Sequence, residues 1–124
     1  MGIDIYALWE DQLRDEQLLQ ENKWLSDLGG DVGYLREAYH GEPYATRHLL
    51  PEVFASDGTA HIPAQKLRDR LPKTLRLAEF RERHIYDAQP QEIEPVLKSY
   101  IAFVALCEFV ELKTGRPVQI IAWW

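Results

Sequence analysis

The stretch Glu37-Ala38-Tyr39-His40 sets a carboxylate and an imidazole three residues apart, a spacing that a helix would bring onto one face. Carboxylate-bridged metal sites use this spacing with a second copy and further acidic ligands. No second Glu-x-x-His occurs in the chain, so no metal ligand set and no cofactor is expected. Around this stretch, Tyr34, Arg36, Tyr44, Arg47 and His48 crowd a segment punctuated by Gly33, Gly41 and Pro43. Arginine suits a carboxylate or phosphate because its planar fork donates two parallel hydrogen bonds. Tyrosine rings can stack on a ligand, and histidine exchanges protons near neutrality. Asp4 adds an acid inside an apolar stretch, where a buried charge would need a partner. Arg36, Arg47 or a tyrosine hydroxyl could serve.

Two functional readings follow. The first is a non-catalytic binding or accessory protein that uses residues 33–48 to contact a small anionic ligand or a protein partner. Its contact residues would be Tyr34, Arg36, Glu37, Tyr39, His40, Tyr44, Arg47 and Asp4. The second is a small enzyme doing acid–base chemistry with His40 and Glu37, Asp4 assisting. Against both stands the plainer interpretation that these long polar side chains pin a loop to its neighbours. Glycine-rich phosphate loops, paired thiolates, His-Glu-x-x-His and Gly-x-Ser-x-Gly are all missing from the sequence.

The totals narrow the field. A chain of 124 residues, 46% apolar and 27% charged, fits one globular domain spanning 1–124. Its net charge of −6, with basic and acidic residues interleaved, lacks the basic stripe that phosphate neutralisation demands. Nucleic acid is therefore not an expected partner. A single cysteine, Cys107, excludes an internal disulfide framework and lies in an apolar run, as a small buried hydrophobe would. The first residues lack the pattern of a secretory signal, and no apolar run reaches the roughly 18 residues that span a bilayer. A soluble, cytoplasmic protein is expected, with no membrane partner.

The elements that must position these residues can be traced by periodicity. Residues 1–9 alternate as a strand, with Ile3, Ile5, Ala7 and Trp9 on one face and Asp4, Tyr6 and Leu8 on the other. Helical spacing runs from Glu10 to Leu28, with Leu18, Leu25 and Leu28 on a stripe, Trp24 nearby and Gly29-Gly30 as its end. Residues 29–48 are expected to be mostly ordered loop, with Leu35, Ala38 and Tyr39 on a short helix and Thr46–Leu50 as a short strand. Pro51 opens a helix to Ala55, Asp57-Gly58 turns the chain, and Thr59–Ile62 is a brief strand. A helix opened by Pro63 is expected to break at Pro72 and a second one to run from Lys73 to Tyr86.

The longest helix is expected over Gln91–Thr114, capped by Gly115. From Tyr100 to Cys107 every residue is apolar or aromatic, and a helix apolar all round must be covered all round. That calls for a central helix or a subunit interface, hence an expected homodimer through this region. The final run Val118–Trp124 reads as a strand paired with the first, with Trp123 and Trp124 in core or subunit contact. Together these elements describe an α+β fold, a small sheet including both terminal strands packed by the long helix and several shorter ones.

The segment Gly30-Asp31-Val32-Gly33-Tyr34-Leu35-Arg36-Glu37-Ala38-Tyr39-His40-Gly41, followed by Pro43-Tyr44-Ala45-Thr46, resembles a pattern in short bacterial proteins of no known activity. The start Met1-Gly2-Ile3-Asp4-Ile5 resembles small open reading frames of phage and mobile gene cassettes. The likeness covers about a third of the chain. It implies a mobile-element origin and supplies no catalytic residue.

Overall fold

The computed structural model describes residues 2–19 and 32–124. Their order is β1 (Gly2–Leu8), α1 (Gln12–Leu19), β2 (Tyr34–Ala38), α2 (Ala45–Leu49), α3 (Pro51–Ala55), β3 (Thr59–Ile62), α4 (Ala64–His84), α5 (Pro90–Thr114) and β4 (Val118–Trp123). The fold is α+β. The four strands form one antiparallel sheet in the order β2-β1-β4-β3, so the two terminal strands are central neighbours. Of the helix expected over Glu10–Leu28, α1 covers Gln12–Leu19, and the rest from residue 20 on, with Trp24, Leu25, Leu28 and the Gly29-Gly30 end, lies outside the described residues.

Strand alternation sorts the sheet into an inner and an outer face. Ile3, Ile5 and Ala7 of β1, Leu35 of β2, Ile62 of β3, and Val118, Ile120 and Ala122 of β4 are buried on the inner face. The outer face carries Asp4, Tyr6, Tyr34, Arg36, Ile121 and Trp123, with Asp4 in register with both Arg36 and Trp123. Neither terminal tryptophan enters the core: Trp123 is 67% exposed, and Trp124 is 52% exposed with its ring 5.1 Å from that of Phe54. Alternation does place Trp123 on one face, but that face is the outer one.

α5 lies centrally, as its composition requires. Tyr100, Ala102, Phe103, Val104, Leu106 and Cys107 are all buried, and of the run from Tyr100 to Cys107 only Ile101 is exposed. One chain thus supplies nearly all the cover that was expected to need either a central position or a second copy. A capping box links Gln89 and Glu92 at the start of α5, and Gly115 closes its end at φ 74°, a left-handed conformation natural to glycine. Burial pushes the Cys107 thiol far up, so it stays protonated and serves as packing. Gly33 shows the tightest approach to this helix: at φ 70°, a Cβ there would meet Leu106 Cδ2 at 2.8 Å. Among the described residues no helix is long and apolar enough to cross a membrane.

Three local expectations are corrected. Residues 34–38 form a strand, not a loop or a short helix. Leu35 and Glu37 point inward while Arg36 points out, so the period is two, but the inward acid hides it from a hydrophobic count. Residues 45–49 form a helix where Thr46–Leu50 suggested a strand, because a carboxylate from β2 caps its start, as described below. Pro72 does not break α4, which runs unbroken from Ala64 to His84. Pro72 itself is exposed, while Leu67, Leu71, Thr74 and Ala78 hold both halves of the helix against the core. The hydrogen bond that proline removes therefore lies on a side where water can replace it.

Candidate functional site

Glu37 faces inward from β2 and is buried. Its Oε2 accepts from the Ala45 N–H at 2.8 Å; its Oε1 accepts from the Thr46 N–H at 3.1 Å and the Thr46 hydroxyl at 2.5 Å. These are the first N–H groups of α2, so a strand residue eight positions away supplies the cap that Tyr44 does not. Oε2 also meets the Arg81 Nε at 3.1 Å. Arg81 reaches from α4 with only 2% of its surface exposed. Its Nη1 donates to the carbonyls of Gly41 and Pro43, and its Nη2 donates to the Ala38 carbonyl at 2.8 Å and to Tyr86 Oη at 3.5 Å. Both terminal nitrogens of the guanidinium thereby donate to protein acceptors, and its Nε is ion-paired with Glu37. The Glu37–Arg81 pair fastens the turn between β2 and α2, which contains a cis Glu42–Pro43 peptide, to the helix beneath.

The other candidate residues fall into separate groups. Tyr39 and Tyr44 meet edge to face with centroids 6.3 Å apart, and Arg47 lies over the rings of Tyr44 and Phe54 at 5.5 and 4.7 Å. Arg81 covers Tyr44 as well, at 4.9 Å. His40 is exposed, its ring 5.0 Å from that of Tyr86. Because residues 34–38 are extended, Glu37 and His40 do not share a face, and among the described residues no hydrogen bond joins them. His48 has its pKa lowered by burial and by the nearby cations Lys73, Arg70 and Arg76.

Asp4, Tyr34 and Arg36 come together on the outer sheet face. The Tyr34 hydroxyl donates to Asp4 Oδ1 at 2.6 Å, and Arg36 Nη1 donates to the same oxygen at 2.8 Å. Asp4 thus has the partners that its sequence position called for. The Tyr34 hydrogen bond, with Arg36 beside it, holds the Asp4 carboxyl below its usual 3.8. A carboxyl depressed in the folded state stabilises the fold above its unfolded pKa, and that stabilisation is lost as pH falls through the folded value. Asp15, lowered by the Lys113 ammonium and the Trp9 indole, and Glu52, lowered by Arg70, have the same sign. Stability is accordingly expected to drop as pH falls below about 4. In Asp4→Asn, urea midpoints measured at neutral and acid pH should show a shallower drop than in wild type.

Beside this network lies a cleft of about 280 Å³ lined by Arg36, Glu37 and Ala38 of β2, Ala78, Arg81 and Glu82 of α4, Val96 and Tyr100 of α5, and Tyr86. Tyr100 is 2% exposed. Its hydroxyl is pushed well above its usual pKa by burial and by the charges of Glu37 and Glu82, which act against Arg81. Among the described residues no hydrogen bond satisfies it. No fully enclosed side-chain nitrogen or oxygen among the described residues lacks a partner, and Tyr100 lines the cleft. A buried tyrosine ordinarily finds a partner for its oxygen.

Sequence reasoning found Arg36 and Glu37 of this cleft and missed Arg81, Glu82, Tyr86, Val96 and Tyr100. One signal was present: Leu67, Leu71, Thr74, Ala78 and Arg81 keep the alternating four- and three-residue spacing of a buried helix face, and the last of them is a cation. Among the described residues no group of three or more His, Cys, Asp and Glu side chains is placed to hold a metal ion. Compared with family models, curated proteins and solved structures, the chain matches none.

Proposed function

We propose that this chain is a non-catalytic binding or accessory protein that holds a small ligand in the cleft between β2, α4 and α5. The observation carrying this reading is Tyr100, a buried residue that lines the cleft and whose hydroxyl has no hydrogen bond among the described residues. The surroundings support it: a concave, mostly apolar space with a few polar groups converging on it is the usual form of a small-molecule site. Residues 33–48, picked out for their tyrosine, arginine and histidine density, supply one wall through Arg36, Glu37 and Ala38.

Acid–base catalysis draws no such support. Both oxygens of Glu37 are occupied by four donors, and His40 stands exposed on the Tyr86 ring. A base must lie within hydrogen-bond reach of the proton it takes, and this pair is neither free nor adjacent.

The test is a thermal-shift screen of small metabolites on wild type and on Tyr100→Phe. A ligand present at about 100 times its Kd should stabilise wild type by about 2.7 kcal/mol. Tyr100→Phe should keep its circular dichroism spectrum and lose most of that response. A variant that responds like wild type, or a screen without a single stabilising compound, would overturn the proposal.

A further inference from the structure

We infer that the ligand of this cleft is a small organic cation, an amine carried on an apolar or aromatic body; the inference rests on the ligand-binding reading above. Free polar groups in the cleft decide the sign of charge. Arg81, buried beside the cleft, is ion-paired with Glu37 through its Nε, and its Nη1 and Nη2 donate to three backbone carbonyls and Tyr86. Arg36 stands at the outer sheet face with its Nη1 on Asp4 and half its side chain exposed. Arg81 is therefore not set to receive an anion inside the cleft, and the charge of Arg36 is already paired with Asp4.

The acidic side is less satisfied. Glu82 lines the cleft half-buried, and among the described residues its carboxylate has no hydrogen bond and no ion pair. Burial raises its pKa above the usual 4.5; Arg81 is the next influence and opposes it, and the charges of Glu92 and Glu37 add a smaller repulsion. An incoming cation would relieve that repulsion, whereas a carboxylate or phosphate would add to it. Tyr100 Oη, without a hydrogen bond among the described residues, offers an ammonium group a second partner. The rings of Tyr86 and Tyr100 with Ala38, Ala78 and Val96 suit an apolar body, and aromatic faces attract organic cations. A bare metal ion is not favoured, since no metal-holding cluster exists among the described residues.

Calorimetric titration of the full chain at neutral pH with 2-phenylethylamine, 2-phenylethanol and phenylacetate separates charge from shape. The amine should bind at least about tenfold tighter than the alcohol, and phenylacetate weakest. Glu82→Gln should weaken the amine at least about tenfold and leave the alcohol unchanged, while Tyr100→Phe weakens both. If phenylacetate binds as well as the amine, or Glu82→Gln leaves amine affinity intact, the cation inference falls while ligand binding stands. If none of the three compounds binds, the cation inference falls, and the ligand-binding reading falls with it when the metabolite screen also yields no stabilising compound.

Discussion

Replacing Arg81 by methionine is expected to lower the free energy of unfolding by about 3–5 kcal/mol. The guanidinium is buried and its departure leaves Glu37 as an uncompensated buried carboxylate. Three carbonyls, those of Ala38, Gly41 and Pro43, lose their donor in the same step. Folded domains of ordinary stability possess only about 5–15 kcal/mol in total, so this single change should bring the protein near the edge of folding. Adding Glu37→Gln to the variant should recover part of the loss, because the buried charge disappears while one of the two acceptor oxygens for α2 remains. Arg83→Met is the natural control: its pairing with Glu79 is exposed, and removing it should cost less than about 0.5 kcal/mol. Urea unfolding of the three variants measures all of this. An Arg81→Met midpoint equal to wild type would mean that the β2–α2 turn is not fastened through this residue.

Phe103→Ala is expected to cost about 3–5 kcal/mol, since large-to-small changes in a packed core lose transfer energy and leave a cavity. Phe103 is the bulkiest of the fully buried side chains and sits in the two apolar turns of α5. Ile101, two positions earlier and 41% exposed, is the contrasting site; Ile101→Ala should cost no more than about 1 kcal/mol. A comparable loss at both positions would show that α5 has no distinct inner face, and its central place in the fold would go with it.

Much of the scaffold was legible because each of those elements follows one pattern. β1 alternates cleanly, β4 is a short apolar run after a glycine cap, and α5 combines a capping sequence with an apolar middle too wide for any surface helix. The region that shapes the candidate site was harder to read, for one physical reason repeated three times. Glu37 is an acid in a core position, so β2 did not look amphipathic. The same acid caps α2 from a distance, which no local propensity of Ala45–Leu49 can announce. Its partner Arg81 is a cation on a buried helix face, where a surface ion pair is the ordinary expectation. Buried charges are readable only when both partners are known, and here they lie on different elements. Tyr100 was counted as part of an apolar run, and its hydroxyl gains meaning only beside the cleft.

The most direct test is to see where a ligand sits. Methyl carbon–proton correlation spectra of the labelled protein should be recorded during titration with 2-phenylethylamine. The Ala38, Ala78 and Val96 methyls, which line the cleft, should shift together and saturate along one binding curve, with Ile121 on the outer sheet face unmoved. Shifts centred on Ile121, or spectra unchanged at millimolar amine, would contradict a ligand site beneath Tyr100.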